Sequence, residues 1–506
     1  MRAAPFTKLL IANRGEIAVR VIRACHEMGL QAVAVYSDAD RDALHVRMAD
    51  EAFHLGAAPA SESYLRIDRL IETARRAGAQ AVHPGYGFLA ERPDFAEACG
   101  AAGLVFVGPP PSAMRALGLK TEARKLMAAA HVPYVPGTLD PLPTVDAARA
   151  AAEAFGFPIA LKAVAGGGGK GLRIVRDPAD LDAAFRQATS EAGAAFGDAS
   201  VYVEKAIERP RHVEIQVLAD QHGRCIYLGE RDCSLQRRHQ KVIEESPSPA
   251  LDDDLRRRMG EVAVQAAQAA GYTNAGTVEF LLAPDQSFYF LEVNARLQVE
   301  HPVTEMVTGI DLVREQIRIA AGEPLGYDQS AIQPRGHAIE CRINAEDPAA
   351  GYLPSTGTIV GFRPPLGPGV RVDSGVEEGG QISVHYDPML AKLIVWAENR
   401  ERALDRMDRA LREFLILGVK TSIPQQLWLI NHPAFRYGDV DTAWLERTWT
   451  GTENVERAAD DRALAAIAAA LHADAAAAHV AVPASAPAHA AGRSSWRAAA
   501  RAGWRS

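Results

Sequence analysis

Five polar side chains that could do chemistry alternate with apolar residues near position 296. They are Glu292, Asn294, Arg296, Gln298 and Glu300. Successive side chains of an extended chain point to opposite faces, so a strand here would place all five on one face and bury the other. Two carboxylates, two amides and a guanidinium in one row are costly as plain surface beside such apolar flanks. The pattern therefore predicts a site for a metal ion and an anion.

The segment just before this row has the pattern of a β-hairpin, with two β-prone runs on either side of residues 284–287. A turn over those residues pairs Ala283 with Phe288 and places Glu279 opposite Glu292. Like charges across a ladder are destabilising, and a divalent cation between them reverses that effect. With the asparagine that follows, they predict a site for Mg²⁺ or Mn²⁺ carrying phosphate groups. The alternative is an exposed hairpin whose two carboxylates lie in water.

A glycine-rich segment lies between two further strand-like runs. It consists of Gly166, Gly167, Gly168, Gly169, Lys170 and Gly171. The segment formally satisfies the GxGxxG pattern, but a dinucleotide site requires a helix after the loop. Between two strands it predicts a flexible cover over phosphate groups, with Lys170 and Lys162 adding positive charge. The alternative is a surface hairpin without a ligand.

Residues 231–241 form a dense polar and basic segment. The functional interpretation places Gln236 and His239 near a nucleotide and Lys241 over an anion. The alternatives are a solvated face or an RNA-binding patch, and few aromatic residues are interleaved for base stacking.

The composition is that of an ordinary globular protein. The chain has 506 residues, a formal net charge of -8 and 48% hydrophobic residues, which excludes a global electrostatic preference for nucleic acid or anionic membranes. Five cysteines without a CxxC pair indicate a reducing compartment. No signal-peptide or transmembrane pattern is present, so we expect a cytoplasmic protein without nucleic-acid or membrane partners.

The order of elements predicts an α/β and α+β fold. Strands and helices alternate over residues 8–110, which predicts a parallel sheet of Rossmann-like type, with ligand-binding loops at residues 13–16 and 83–91. Residues from about 120 to 320 are rich in strands, and a mixed block follows to about 445. The tail from about 455 is rich in alanine and then in proline, alanine and serine, which predicts a helix and a linker.

Taken together, these motifs resemble the biotin carboxylase component of biotin-dependent carboxylases, of the acyl-CoA carboxylase alpha-chain type, an ATP-grasp family. The matching segments are IANRGEIA (11–18), HPGYGFL (83–89), Lys162 with residues 166–171, RDCS (231–234), RRHQK (237–241), NARLQVEHPVTE (294–305) and GHAIECRINAE (336–346). The resemblance implies an N-terminal domain over residues 1–119, an ATP-grasp domain with a glycine-rich lid over 120–325, and a mixed C-terminal domain over 326–450. Residues 451–506 would form a tail and linker.

The resemblance implies a ligase that carboxylates carrier-bound biotin with bicarbonate and ATP through carboxyphosphate, as the first half-reaction of an acyl-CoA carboxylase. It places Glu279, Glu292 and Asn294 at Mg²⁺ or Mn²⁺. It also implies a set of residues around ATP: Lys120, Lys162, the loop 166–171, Glu204, Lys205, Ile207, His212, Gln236, His239 and Leu281.

The resemblance also assigns the reacting groups. Arg296, Gln298 and the Val299 backbone would bind bicarbonate beside Lys241. Glu300 would be the general base, and Arg342 would stabilise the enolate oxygen of biotin, whose pocket Tyr86 and Gly87 would line. The catalytic set is therefore Glu300, Arg342, Lys241 and Arg296.

The end of the sequence predicts the partners. The family's carrier lysine lies in an Ala-Met-Lys-Met motif, and this sequence has no lysine after Lys420. Biotin would therefore come from a separate carrier protein, unless the sequence is a piece of a longer chain. We expect a carboxyltransferase partner, a homodimer or larger complex, and a final carboxyl acceptor that this sequence does not specify. The competing hypotheses are a bicarbonate-activating ligase of the carbamoyl-phosphate type and a non-enzymatic nucleotide-sensing subunit.

Overall fold

Five short parallel strands begin the fold, in a computed structural model that describes residues 6–165 and 171–451. The strands are β1 (Lys8–Ile11), β2 (Gln31–Ser37), β3 (Glu51–Gly56), β4 (Ala81–His83) and β5 (Val105–Phe106), in the sheet order β3-β2-β1-β4-β5. The helices of this block are α1 (Gly15–Glu27), α2 (Leu44–Met48), α3 (Ile67–Ala77), α4 (Pro93–Ala101) and α5 (Pro111–Gly118). All four strand pairs are parallel, which confirms the predicted sheet. The loops after β1 and β4 leave the same edge of the sheet.

The strands before and after the glycine-rich segment belong to a small antiparallel sheet, in the order β7-β6-β8. The helices and strands of this block are α6 (Lys120–Ala129), α7 (Val145–Phe155), β6 (Ile159–Ala163), β7 (Arg173–Val175), α8 (Leu181–Phe196) and β8 (Val201–Lys205). Leu161 pairs with Arg173, so the loop does connect two antiparallel strands, as predicted. Gly166, Gly167, Gly168, Gly169 and Lys170 themselves lie outside the described residues.

The largest sheet runs through the central and the third sequence blocks. Its central elements are β9 (Arg211–Ala219), β10 (Cys225–Arg237), β11 (Gln240–Ser246), α9 (Asp253–Ala269), β12 (Asn274–Leu282), β13 (Phe288–Asn294), α10 (His301–Thr308) and α11 (Leu312–Ala320). The third block adds β14 (His337–Asn344), the short strands β15 (Glu346–Asp347), β16 (Leu353–Pro354), β17 (Gly357–Thr358) and β18 (Gly361–Arg363), then β19 (Val370–Ser374), β20 (Gln381–Ile382), β21 (Met389–Ala397), α12 (Arg400–Glu413), β22 (Leu415–Leu417), α13 (Ile423–Asn431), α14 (Pro433–Arg436) and α15 (Trp444–Thr448).

The strand order of this sheet is β13-β12-β9-β10-β11-β14-β21-β19, and every neighbouring pair is antiparallel. Strands on both sides of residue 325 therefore share one hydrogen-bonded ladder. The division of the chain into domains at that residue stays a prediction. The predicted tail lies, from residue 452 onward, outside the described residues.

The predicted hairpin register is wrong at the turn and right at the carboxylates. Leu282, not Ala283, pairs with Phe288, but a bulge at Leu291 shifts the ladder by one residue. Glu279 consequently lies opposite Glu292, as predicted. One extra residue in a bulge changes the register of everything beyond it.

Alternation along β14 and β21 separates an apolar face from a charged one. Cys341 and Leu393 point into a core shared with Met407 of α12. Arg342 and Lys392 are paired in register on the opposite face. That charged face is the one that continues toward the carboxylates of the hairpin.

Two further sequence-based expectations concern the whole described region. All five cysteines are free, in agreement with the expected absence of a disulfide framework. No helix in the described ranges is both long and apolar enough to cross a membrane.

A buried ion pair connects the sheet to α12 and yields a stability prediction. Arg400 donates to both oxygens of Glu245, at 2.7 and 3.0 Å, and His337 lies 2.7 Å from the same carboxylate. Burial raises the pKa of Glu245, but Arg400 and His337 outweigh it and lower the pKa from 4.5 to about 2. A carboxyl with a lowered folded-state pKa stabilises the protein above its unfolded-state pKa, and that contribution is lost as the pH falls toward the folded-state value.

We expect Glu245→Gln to lower the free energy of unfolding by about 3 kcal/mol at neutral pH, with the difference shrinking as the pH falls below about 4.5. Urea unfolding of both proteins over a pH series measures it. Glu398→Gln is the control, because that side chain is 65% exposed. A Glu245→Gln deficit that does not change with pH would contradict the assigned ion pair.

Candidate active site

A cavity of about 790 Å³ opens between the N-terminal block and the charged face of the large sheet. It is lined by most of the residues predicted from the sequence. These are Tyr86, Gly87, Lys120, Lys162, Gly171, His212, Gln236, His239, Lys241, Glu279, Glu292, Asn294, Arg296, Gln298, Val299, Glu300 and Arg342. The whole row from Glu292 to Glu300 therefore faces one space, although β13 already ends at Asn294.

Three glutamates lie side by side across neighbouring strands of the cavity wall. Glu292 of β13 pairs in register with Glu279 of β12, and Glu279 pairs with Glu214 of β9. The next strand places Arg231 opposite Glu214. Residues paired in register share a face of the sheet, so the row is three acids ended by one cation.

Lys241 neutralises the centre of this row. Its ammonium group donates to Glu214, to Glu279 at 2.9 Å and to Glu300 at 2.6 Å. Burial lowers the pKa of Lys241, but the surrounding carboxylates outweigh burial and hold the pKa well above its ordinary value. This lysine is therefore a permanent positive charge.

Arg231 is completely buried, which contradicts a solvated or RNA-binding face at this point of the basic segment. Its guanidinium group donates to five side chains: Glu214, Gln216, Thr277, Gln298 and Thr304. Every N–H direction of the group is thus used inside the protein. The guanidinium fixes Gln298 relative to the sheet.

Glu300 lies between two cations from two different strands. Lys241 contacts one carboxylate oxygen, and Arg342 donates to the other at 2.9 Å. Burial raises the pKa of Glu300, but Lys241 and then Arg342 outweigh burial, so the pKa falls below its ordinary value. A buried, ionised carboxylate at the wall of the cavity can accept a proton at neutral pH.

Arg342 and Arg296 are each held by an acid that sequence reasoning did not single out. Arg342 donates to Glu244 at 2.6 Å as well as to Glu300. Arg296 donates to Glu91 and to the side-chain Oδ1 of Asn294, both at 3.0 Å. The acids orient the two guanidinium groups at the cavity wall.

The hairpin acids fit a divalent cation. Burial, and then the charge of Glu279, raise the pKa of Glu292, with Lys120 opposing the shift. Burial lowers the pKa of His212, which lies 3.3 Å from Glu279, but the charge of Glu279 and the hydrogen bonds to Glu214 and Glu279 together raise it to about 9. Two carboxylates beside Asn294 supply the hard oxygen atoms that Mg²⁺ prefers, and a bound cation would oppose the repulsion between Glu279 and Glu292.

Four of the residues predicted around ATP are not among the lining residues: Glu204, Lys205, Ile207 and Leu281. Glu204 accepts from Lys162 and Arg124, so it positions one lining lysine. Lys205 donates to the backbone carbonyls of residues 156 and 157, both at 2.9 Å, and its ammonium group is occupied there. Leu281 pairs with His212 on the sheet.

The loop after β4 is held against the loop after β1. Asn13 donates to the carbonyls of Pro84 and Tyr86 at 2.8 and 2.7 Å. A Cβ atom at Gly85 would lie 2.8 Å from the Asn13 amide, and the φ of +64° also favours glycine. Tyr86 is thereby presented to the cavity, where its hydroxyl group donates to Glu16.

Glu214, Arg231, Glu91 and Glu244 were missed as site residues, and two of them left a signal in the sequence. Glu214 follows His212 at a spacing of two in a strand-like run. Arg231 begins a basic segment, and that basicity was compatible with a solvent-exposed face. Neither the pairing of β9 with β12 nor the depth of β10 can be obtained from local composition.

Comparison with known families gives three matches in chain order. They are a biotin carboxylase N-terminal domain over residues 5–114, the ATP-binding domain of the carbamoyl-phosphate synthase L chain over residues 120–327, and a biotin carboxylase C-terminal domain over residues 340–447.

Curated relatives match most of the chain. One of the pyruvate carboxylase subunits of Methanothermobacter thermautotrophicus is 53% identical, covering 88% of this chain and 91% of that one. Biotin carboxylase of Nostoc sp. is 53% identical over 87% of this chain and 99% of its own. The propionyl-CoA carboxylase alpha chain of Ruegeria pomeroyi is 49% identical over 92% and 72%.

Solved structures agree with the fold. A Campylobacter jejuni biotin carboxylase complex with β,γ-ATP has a TM-score of 0.86 and 47% identity, covering 88% of this chain and 100% of that one. The biotin carboxylase domain dimer of the Hydrogenobacter thermophilus 2-oxoglutarate carboxylase, in complex with MgADP, ADP and bicarbonate, has a TM-score of 0.85 and 48% identity over 87% and 97%.

The burial of Arg231 yields a prediction. We expect Arg231→Met to lower the free energy of unfolding by about 3–5 kcal/mol, because Glu214 loses a buried counter-charge. The double variant Arg231→Met/Glu214→Gln should lose less than the sum of the two single variants. Urea unfolding measures the three variants, with the exposed Arg238→Met as the control. Simple additivity would contradict a direct pair.

Proposed function

Because this chain belongs to the biotin carboxylase family and is a ligase that carboxylates biotin with ATP and bicarbonate, we propose that its cavity performs this reaction with Glu300 as the base. The observation that supports this role best is the Glu300 carboxylate, buried and ionised between Lys241 and Arg342.

The first step is the activation of bicarbonate. Arg296, Gln298 and the Val299 backbone hold the anion, since a planar guanidinium matches a planar oxyanion. Glu300 removes its proton, and the oxyanion attacks the γ-phosphorus of ATP. The bond from that phosphorus to the ADP oxygen breaks, giving carboxyphosphate and ADP. Lys241 beside Glu300 balances the charge that gathers there.

The second step transfers the carboxyl group. Carboxyphosphate separates into CO2 and phosphate, and the phosphate takes the proton from N1 of biotin. Arg342 stabilises the enolate oxygen while N1 attacks CO2. Tyr86 and Gly87 form the wall against which biotin lies. Arg342 also contacts Glu300, which supports a position for biotin beside the point where bicarbonate reacts.

The nucleotide lies at the other end of the cavity. Lys120 and Lys162 contribute positive charge there, with the loop 166–171 as the cover, and His212, Gln236 and His239 lie on the same wall. Glu279, Glu292 and Asn294 are the residues that would hold Mg²⁺ or Mn²⁺. When bound, the ion neutralises phosphate oxygens. For Lys205, Ile207 and Leu281 we propose no direct side-chain contact with ATP.

The partners follow from the chemistry. We propose that biotin arrives on a separate carrier protein and that a carboxyltransferase uses the product, in a homodimeric or larger assembly in the cytoplasm. Relatives named for pyruvate, propionyl-CoA and methylcrotonoyl-CoA have similar identities, from 49% to 53%, so similarity over this chain does not select the final acceptor.

The role of Glu300 is tested by Glu300→Gln. We expect bicarbonate-dependent ATP hydrolysis, measured with free biotin, to fall by about 10²–10⁴-fold, because the amide cannot accept the proton. Nucleotide binding measured by calorimetry should be retained, and Glu398→Gln should behave as wild type. Equal loss of turnover and of nucleotide binding would contradict the assignment. Wild-type turnover that is indifferent to bicarbonate and biotin, or dependent on ammonia instead, would overturn the function.

The metal site is tested by Glu292→Gln. The Mg²⁺ concentration for half-maximal activity should rise by about tenfold or more. Without Mg²⁺ the variant should be no less stable than wild type in urea, because the substitution removes a half-buried acid from the repulsive pair with Glu279. Loss of stability in the metal-free protein, with an unchanged Mg²⁺ requirement, would contradict the site.

A further inference from the structure

Lys392 is a completely buried cation that the reaction does not use directly. It interrupts the apolar run of β21, and its side chain is 0% exposed. Taking an ammonium group out of water costs several kcal/mol unless partners replace the water. The partners of this ammonium group are the contacts that replace the lost water.

The two partners of Lys392 belong to different parts of the active site. The ammonium group donates to the carbonyl of Val299 at 2.8 Å and lies 3.2 Å from Glu16. Val299 is the residue next to Glu300, in the turn that faces bicarbonate. Glu16 accepts the hydroxyl of Tyr86, at the wall proposed for biotin. One buried cation thus contacts Val299 of the proposed bicarbonate subsite and Glu16, which binds Tyr86 of the proposed biotin subsite.

Residues next to Lys392 pack closely around its contacts and are paired with other groups. Gly375, just after β19, packs on the first turn of α1, where a Cβ atom would lie 2.5 Å from the Glu16 nitrogen. Asp373 and Arg342 are the in-register neighbours of Lys392 on either side. Asp373 is paired with Arg371 at 2.7 Å, and Arg342 with Glu244 and Glu300. The charges of the buried Glu340 and of Asp373 also act on Lys392, but its direct contacts are with Glu16 and Val299.

We propose that Lys392 is a positioning residue that couples the bicarbonate turn to the biotin wall, by holding Val299 on one side and the Glu16–Tyr86 pair on the other. The inference rests on the proposed function of those two subsites. Misplacement of a reacting group by about 1 Å costs about 10²-fold in rate, so a contact behind the turn is enough to affect catalysis.

The test is steady-state kinetics with free biotin on Lys392→Met, which keeps the length of the chain and removes the charge. We expect the KM values for bicarbonate and for biotin each to rise by about tenfold, and the KM for ATP to remain unchanged. Leu393→Ala is the control, because Leu393 lies on the opposite, apolar face of the same strand. It should lower stability without this selective pattern.

A second variant tests the contact with the biotin wall separately from the contact with the bicarbonate turn. It remains informative if Lys392→Met does not fold. Glu16→Gln keeps the shape but removes the charge that faces Tyr86 and Lys392. It should raise the KM for biotin and leave that for bicarbonate near the wild-type value.

Three results would overturn the proposal: unchanged KM values for both substrates in Lys392→Met, an equal rise in the KM for ATP, or an unchanged KM for biotin in Glu16→Gln. Wild-type enzyme without bicarbonate or biotin dependence would instead overturn the proposed function.

Discussion

The row of three glutamates across β13, β12 and β9 is the constraint on which the rest of the site depends. Glu292, Glu279 and Glu214 are in register and buried or half-buried, and unpaired charges cannot remain in that environment. The neighbouring strands supply fixed cations that pair with these carboxylates. Arg231 of β10 pairs with Glu214, and Lys241 of β11 pairs with both Glu214 and Glu279.

The pKa values of the acids shift in opposite directions at the two ends of the site, and this difference divides the site by function. At the Glu300 side, Lys241 and Arg342 lower the pKa of Glu300 against the effect of burial, while the pKa of Glu244 beside Arg342 is raised to about 7 by burial. At the Glu292 side, burial and the charge of Glu279 raise the pKa of Glu292, although Lys120 opposes the shift. The first condition suits a base that must stay ionised, and the second suits a site for a divalent cation with its phosphate ligands. The same sheet face provides both.

The sequence predicts what depends on local alternation and misses what depends on strand partners. The period of two from Glu292 to Glu300 was enough to predict that those side chains face one cavity. The predicted turn was wrong by one residue and the bulge at Leu291 was not predicted, and these two errors cancelled, so the predicted Glu279–Glu292 pairing is still the observed one. Arg231 looked like surface because its neighbours are basic, yet the depth of β10 depends on β9 and β11 on either side. The ammonium group of Lys205 donates to the backbone carbonyls of residues 156 and 157, a contact that no local sequence pattern indicates.

The continuity of the large sheet explains how a base outside the ladder is kept in place. Glu300 follows the end of β13 and has no strand of its own. Its position is instead determined by Lys241 of β11 and Arg342 of β14, and its turn by Lys392 of β21. These strands come from both sides of the predicted domain division at residue 325. A rigid ladder across that division is therefore a requirement of the chemistry, because relative movement of β11 and β14 would separate the two cations that keep Glu300 ionised and aimed at the cavity.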